Sequence, residues 1–170
     1  FPTQTVVGHP VASFKLYKTD GIFQNDQEVL AHSKNGNLIQ PNAKPGDIRF
    51  KDLNGDGKID PNDQAFCGNG TPKVVANLSF SGNYSYFDLS FLIGSGWGHK
   101  LYNANRYFYE GMNTASNMLS STLNAWSPDN RNTSVPRAII GDPNGNTRES
   151  DRFLEDGDFI RLRQIQVGYT

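Results

Sequence analysis

The chain has 170 residues, enough for one domain or two small ones, and its 16 basic and 17 acidic residues give a formal net charge of −1. A charge this close to zero provides no electrostatic attraction to nucleic acid, which excludes nucleic acid as an expected partner. The single cysteine excludes a disulfide within the chain. Apolar residues make up only 36%, whereas Gly (17), Phe (11) and Tyr (7) are abundant. This composition favours β-strands joined by polar, turn-rich loops.

The first predicted strand covers roughly residues 13–23, where Phe14 and Leu16 alternate with Lys15 and Tyr17. A long connection, about residues 24–72, follows it. Connections of this length are uncommon in compact domains and are usually functional or disordered. We therefore expect this connection to be a functional loop or a disordered one.

Within this connection, residues Asp52–Asp63 match a twelve-residue calcium-binding loop. Calcium takes six to eight oxygen ligands, and such a loop supplies them from positions 1, 3, 5, 7, 9 and 12. Position 7 contributes a backbone carbonyl, and Gly57 at position 6 permits the sharp turn. All six ligand positions are filled, by Asp52, Asn54, Asp56, Lys58, Asp60 and Asp63. The sequence therefore predicts a structural Ca²⁺ site.

Two features distinguish this loop from that of a helical calcium sensor: position 12 is the shorter Asp63, and neither flank has the pattern of an amphipathic helix. Both favour a structural loop in an extracellular segment over a switch that opens a groove. The alternative is a cluster of hydrogen-bonded Asx turns without metal. Four carboxylates brought together without a cation would repel one another, which favours the metal.

The clearest strand signals follow at residues 73–84 and 87–97, separated only by Ser85-Tyr86, so we predict a β-hairpin. A period of two places one apolar set on a single face of the sheet: Val74, Ala76, Leu78, Phe80, Tyr84, Phe87, Leu89, Phe91, Ile93 and Trp97. In a membrane-spanning hairpin, Tyr84, Tyr86 and Phe87 would lie near the interface on the periplasmic side, as aromatic girdle residues do.

The last predicted strand, residues 158–170, changes phase along its length. Ile160 and Leu162 share one parity, whereas Ile165, Val167 and Tyr169 share the other. A one-residue β-bulge near Arg163-Gln164 would place all five on one face. The alternative is a strand with mixed faces.

A second long connection, about residues 98–157, precedes this last strand. The alternation of long and short connections is typical of an outer-membrane β-barrel, with short periplasmic turns and long extracellular loops. At about 3.3 Å per residue and a tilt of about 40°, a twelve-residue strand spans roughly 30 Å, enough to cross an apolar band of about 25 Å. The sequence contains no apolar run of about eighteen residues, so it predicts no membrane-spanning helix.

We find no constellation of catalytic residues. His9, His32 and His99 lie far apart without metal-ligand spacing, and residues 155–158 are best interpreted as a polar turn. No nucleophile elbow, P-loop or dinucleotide-binding fingerprint is present. We therefore predict that the chain is not an enzyme, with no catalytic and no cofactor-binding residue apart from the calcium ligands.

The order of several motifs resembles the C-terminal part of the barrel of SusC/RagA-type TonB-dependent transporters from the outer membrane of Bacteroidetes. The motifs span nearly the whole chain: Val7–Pro10, Tyr17–Asn25, Pro45–Phe50, Asp52–Asp63, Gly68–Asn69, Pro72–Lys73, Ala125–Pro128, Val135–Ala138, Ser150–Gly157, Phe159–Arg163 and Gly168–Thr170.

The resemblance implies that residues 1–170 belong to the β-barrel domain of a large plugged barrel of the 22-stranded kind, in contact with outer-membrane lipid. Such a transporter imports oligosaccharides or peptides, works with a SusD-like surface lipoprotein, and is energised by the TonB complex through a plug domain. The plug domain is absent from this sequence, and four strands cannot close a barrel, so the resemblance implies an incomplete barrel within a longer chain or an isolated fragment.

The alternative function is a soluble, secreted β-module that uses calcium to brace a carbohydrate-binding or protein-binding face. The two hypotheses differ in the environment of the apolar face. In a transporter, Leu78 and Phe91 face lipid, whereas in a soluble module a second layer covers them. Both hypotheses require these two residues on the same face of the sheet.

Overall fold

The computed structural model describes residues 2–170. Twelve strands are present in this range, most of them short. In chain order they are β1 (Thr3–Gln4), β2 (Ser13–Tyr17), β3 (Thr19–Ile22), β4 (Ser33–Lys34), β5 (Asn37–Leu38), β6 (Ile48–Phe50), β7 (Gln64–Phe66), β8 (Val74–Tyr84), β9 (Phe87–Trp97), β10 (Lys100–Tyr102), β11 (Leu154–Asp156) and β12 (Phe159–Tyr169).

The helices are short. They are α1 (Asp26–Ala31) and α2 (Ala104–Tyr109), with 3-10 turns at Pro61–Asp63, Ser120–Asn124 and Asp151–Phe153. Helix α1 begins at Asn25, whose side chain accepts a hydrogen bond from the Glu28 N–H. Across residues 2–170, no helix has the length and apolar character needed to cross a membrane.

The chain divides into two compact units. Unit 1 contains Phe14–Cys67 and Tyr102–Leu154 with residues 2–4, and unit 2 contains Thr5–Ser13, Gly68–Leu101 and Glu155–Thr170. The two long connections predicted from the sequence therefore do not form disordered loops. Most of their residues belong to unit 1.

Unit 2 is built on an antiparallel sheet with the strand order β12-β9-β8. Strands β8 and β9 form the predicted hairpin: Tyr84 pairs with Phe87, and Ser85 in the turn adopts a positive φ of 55°. Among the described residues the outer strands β8 and β12 do not pair with each other, so this chain closes no barrel. The fold is mostly β with antiparallel sheets, which agrees with the predicted fold class.

The register of this sheet gathers its apolar side chains on one face. Directly paired residues point to the same side, so Leu78, Ile93 and Leu162 form one row across the three strands. Phe80, Phe91 and Ile165 form the next row. Leu78 and Phe91 therefore lie on the same face, as both hypotheses require.

The predicted bulge in β12 is confirmed. Leu162 pairs with Ile93 and Gln164 with Leu92, so the pairing skips Arg163. The residues on either side of the skipped position consequently share the apolar face, although their parity along the chain differs. The opposite face carries mostly polar residues: Asn77, Ser79, Ser81, Asn83, Asp88, Ser90, Gln164 and Gln166.

Unit 1 contains shorter strand pairings. Its sheets are β1-β2-β7, β3-β6 and β4-β5. The first strand predicted from the sequence, residues 13–23, is two strands: β2 pairs with β7, and β3 pairs with β6. The two strands are separated at Lys18, and Thr19 at the start of β3 donates its N–H and its hydroxyl to Asp151 Oδ1, at 3.0 and 2.7 Å.

Large apolar side chains form the core of unit 1. The most buried are Leu16, Phe23, Ile48, Phe50 and Phe153. Phe153 contacts two tyrosines edge-on, with ring centroids 6.1 Å from Tyr102 and 5.5 Å from Tyr107. Burying a side chain of this size contributes about 1.5–3 kcal/mol, so a small set of residues stabilises this loop-rich unit.

Candidate functional site: an acidic loop and a buried polar network

The acidic loop Asp52–Asp63 joins β6 to β7 in unit 1, and its first residue organises its first turn. Asp52 Oδ1 accepts hydrogen bonds from the N–H groups of Gly55 (2.6 Å) and Asp56 (3.1 Å), and Oδ2 accepts one from Gly57 (2.8 Å). Desolvation opposes ionisation, but the three N–H groups outweigh it and hold the pKa of Asp52 below its usual value. Gly57 has φ +92°, a conformation that side chains disfavour.

The last residue of the loop closes it onto the first turn. Asp63 is fully buried, and its Oδ1 accepts hydrogen bonds from the N–H groups of Leu53 (2.8 Å) and Asn54 (3.3 Å). Its Oδ2 accepts one from the Asp60 N–H at 2.8 Å, as part of a capping box on the 3-10 turn. Asp63 therefore fixes both ends of the loop.

The side chain of Lys58 lies at the centre of the loop, between two of its carboxylates. The Lys58 Nζ lies 2.9 Å from Asp60 Oδ2 and 3.8 Å from Asp56 Oδ2. The hydrogen bond from Lys58 is the main reason that the pKa of Asp60 is below its usual value. Position 7 of the loop, whose backbone carbonyl is the predicted ligand, thus also carries an ammonium group between two carboxylates.

The structure brings the six predicted ligand residues into one loop, with Asp52 and Asp63 tied to the backbone and Asp56 and Asp60 around Lys58. Among residues 2–170, no group of three or more His, Cys, Asp or Glu side chains is arranged to hold a metal ion. Their donor chemistry still suits a hard cation, because each carboxylate has about four lone-pair positions and the hydrogen bonds use only part of them. Calcium binding remains a prediction.

A buried polar network that the sequence analysis did not identify lies elsewhere in unit 1, around the fully buried Asp47. The Arg137 guanidinium donates to both of its oxygens, Nε to Oδ1 at 2.7 Å and Nη2 to Oδ2 at 3.1 Å. Asn146 Nδ2 and the Lys44 N–H donate to the same carboxylate at 2.9 and 2.8 Å. Asp47 therefore joins the residue 24–72 segment to the residue 98–157 segment.

Amides extend this network. Gln40 Nε2 donates to the Ile48 carbonyl and to Asn144 Oδ1, and its Oε1 accepts a hydrogen bond from the Phe50 N–H. Next to Asp47, Gly46 has φ +92°, and a Cβ there would lie 2.4 Å from Trp126. The motif Pro45–Phe50 and the motif Val135–Ala138 thus meet in space, which their separate positions in the sequence did not indicate.

The fold combines long amphipathic strands with an ordered, polar, loop-rich unit. No protein-family model matches the chain. A TonB-dependent receptor of Formosa agariphila is 29% identical over 165 residues, covering 96% of this chain and 15% of the receptor. TonB-dependent receptor SusC of Bacteroides thetaiotaomicron is 29% identical over 136 residues, covering 78% of this chain and 13% of SusC.

Among solved structures, the RagAB peptide transporter matches with a TM-score of 0.68 and 20% identity, covering 99% of this chain and 17% of the matched chain. At this identity the match shows the fold alone. The chain is homologous to SusC/RagA-type TonB-dependent receptors, of which it spans a small part. The resemblance inferred from the sequence is confirmed, and the relatives are non-enzymatic, in agreement with the prediction that the chain is not an enzyme.

Proposed function

We propose that this chain is a segment of the transmembrane β-barrel of an outer-membrane active transporter. The observation that carries the proposal is the apolar face of the β12-β9-β8 sheet, which remains exposed: Leu78 is 60% exposed, Phe80 50% and Val167 68%. An exposed apolar patch of this kind marks a surface that contacts lipid or another protein. Homology to TonB-dependent receptors favours lipid.

The dimensions and the aromatic residues of the sheet support the same proposal. Its three strands have 11 residues each, which at about 3.3 Å per residue and a tilt of about 40° span roughly 28 Å. At the hairpin end, the Tyr169 ring lies 6.2 Å from that of Tyr86 and 5.1 Å from that of Phe87. This cluster has the composition of an aromatic girdle at a membrane interface.

The proposed transporter imports peptides or oligosaccharides, is energised by TonB, and works with a SusD-like lipoprotein at the cell surface. Support for peptides comes from the matched solved structure, which is described as the RagAB peptide transporter. Energy from TonB follows from the relatives, which are named TonB-dependent receptors. The oligosaccharide alternative and the lipoprotein partner follow from the family resemblance.

The proposed lipid contact can be tested with spin labels on the full-length protein in lipid vesicles. Single cysteines, in a background that includes Cys67→Ser, would replace Leu78 and Phe91 on one face and Ser79 and Ser90 on the other. We expect labels at Leu78 and Phe91 to collide mainly with oxygen dissolved in the bilayer, because those positions face lipid. Labels at Ser79 and Ser90 should collide mainly with a water-soluble nickel chelate.

Equal accessibility to the nickel chelate on both faces would contradict the proposal. Protection of Leu78 and Phe91 from both reagents would mean that a second protein layer covers the apolar face. That result would favour the soluble β-module instead.

We propose further that the acidic loop binds one Ca²⁺ through Asp52, Asn54, Asp56, the Lys58 carbonyl, Asp60 and Asp63. Support comes from the ligand spacing, since all six oxygen-donor positions of the twelve-residue loop are filled. Binding would displace the Lys58 ammonium, which lies 2.9 Å from Asp60 Oδ2 and 3.8 Å from Asp56 Oδ2. The ion would supply charge neutralisation only. Its role would be to brace the segment between β6 and β7.

Chelation of calcium with EGTA is expected to increase hydrogen exchange at the N–H groups of Gly55, Asp56 and Gly57 at least tenfold. These groups donate to Asp52, whose position the ion would fix. Mass spectrometry would report the exchange, with the β8-β9 hairpin as an internal control that should not change. If the loop exchanges equally with and without chelator, and elemental analysis finds no calcium, the loop is a hydrogen-bonded turn without metal.

A further inference from the structure

Unit 1 contains a cavity of about 410 Å³ whose lining combines cationic, hydroxyl and aliphatic groups. This volume is within the range of small-molecule sites, which run from about 300 to 1,000 Å³. The residues that matter for its chemistry are Arg106, Arg152, Thr133, Ser134, Ile22 and Ile48.

The two arginines share one buried anion. Glu110 receives hydrogen bonds from Arg106, with Nε 3.1 Å from Oε1, and from Arg152, with Nη2 2.8 Å from Oε2. Arg106 Nη2 also donates to Oε2, at 3.2 Å, and the Ser121 hydroxyl donates to Oε1 at 2.7 Å. Burial disfavours the charged form, but these donors outweigh it and lower the pKa of Glu110, so the carboxylate is ionised at neutral pH. Arg152 therefore shares its anionic partner with a second cation.

Of the two arginines, Arg152 is the one with an unsatisfied hydrogen-bond donor. Its side chain is only 8% exposed, and its Nε has no hydrogen-bond partner among the described residues. Burial lowers the pKa of Arg152 to about 10, partly opposed by Glu110. Leaving a buried guanidinium donor unpaired is unfavourable, and an anionic oxygen in the cavity would satisfy it.

We propose that this cavity binds the carboxylate of a small ligand through Arg152. A guanidinium presents planar, paired donors that match a carboxylate. The hydroxyl of Ser134 would hydrogen-bond the polar part of the ligand, and Ile22 and Ile48 would contact its carbon skeleton. The carboxylate could belong to a peptide or to a uronic-acid sugar. The inference concerns binding and does not depend on transport.

The test measures binding to the purified full-length protein by saturation-transfer NMR, with probes that differ in charge. One pair is D-galacturonate and D-galactose, and the other is N-acetylglycine and N-acetylglycinamide. We expect the acid of at least one pair to bind at least tenfold more tightly than its neutral partner. The pair that discriminates identifies a sugar or a peptide source.

Variants then locate the site. Arg152→Met is expected to weaken binding of the acid at least tenfold, and Arg152→Lys should restore only part of it because the paired donors are lost. Arg148→Met is the control, since that guanidinium lies over Tyr17 and Phe50 and does not line this cavity. Its affinity should be unchanged.

Ser134→Ala leaves both arginines in place and is expected to weaken binding about threefold, which tests the site even if Arg152→Met does not fold. The inference is overturned if neither acid binds more tightly than its neutral partner. It is also overturned if folded Arg152→Met retains full affinity, or if Arg152→Met does not fold and Ser134→Ala has no effect. Because no transport is measured, these outcomes leave the proposed function untouched.

Discussion

Replacing Asp47 with alanine is expected to destabilise unit 1 by about 3–5 kcal/mol, the usual cost of removing one partner from a buried ion pair. Asp47 is fully buried, and the substitution removes the acceptor of four hydrogen bonds. The Arg137 guanidinium would remain largely buried, with a side chain 19% exposed, and would lack its carboxylate. This loss of folding free energy would be among the larger ones that single substitutions produce.

Hydrogen exchange of the full-length protein would measure this loss locally. The N–H groups of Arg137 and Gly46 bond across the network, to the carbonyls of Gly46 and Phe23. Since 1.4 kcal/mol corresponds to a factor of ten, their exchange should accelerate roughly a hundredfold to a few thousandfold.

Asp20→Ala is the matched control. Asp20 also pairs with basic side chains, Arg49 at 3.1 Å and Lys51 at 3.4 Å, but it is exposed. Its removal should cost less than about 1 kcal/mol because water screens surface ion pairs. Equal effects of the two substitutions would show that the Asp47 network does not stabilise the unit.

Leu78→Arg is expected to destabilise the membrane-inserted barrel by about 2–4 kcal/mol, the cost measured for a basic residue facing the bilayer midplane. Leu78 lies in the row with Ile93 and Leu162, near the middle of the three strands. Ser79→Arg is the control, because Ser79 is the next residue along β8 and points to the polar face. We expect it to cost less than about 1 kcal/mol.

Urea unfolding of the full-length protein from lipid vesicles would give the two free energies, and outer-membrane fractionation would show whether each variant assembles in cells. A large loss for Leu78→Arg alone would agree with lipid on the apolar face and water on the other. Equal tolerance of both substitutions, or a larger loss for Ser79→Arg, would contradict the proposed orientation of the sheet.

The sheet of unit 2 was predictable because its signal is local. Alternation along β8 and β9 assigns each side chain to a face, and the two-residue connection forces the strands to pair. The bulge at Arg163 was also predictable, because the parity of Ile160 and Leu162 disagrees with that of Ile165 and Val167.

Unit 1 was much less predictable, because long-range polar contacts organise it. Asp47 and Arg137 are 90 positions apart, and Gln40 and Asn144 are 104 apart. No periodicity reveals such pairs in a single sequence. The predicted strand 13–23 was wrong as one element: β2 ends at Tyr17 and β3 begins at Thr19, which bonds to Asp151, 132 positions away.

The acidic loop lies between these extremes. Its six candidate calcium ligands were chosen from spacing alone, and they all lie in the loop between β6 and β7, where calcium binding stays a prediction. The ammonium of Lys58 between Asp56 and Asp60 was not foreseen, because the loop pattern assigns position 7 only a carbonyl. A side chain on a flexible stem can reach carboxylates that the pattern reserves for an ion.

The bulge in β12 makes the number of residues in this strand as important as their identity. With Arg163 set aside by the pairing, both halves of β12 send their aliphatic side chains to the same side. A deletion or insertion of one residue within the strand would turn one half over, exposing glutamines where valine and isoleucine now lie. An insertion or deletion of one residue in the long polar segments between strands would leave both faces of the sheet unchanged. Alignments of this strand across relatives should therefore show fixed length even where the residues differ.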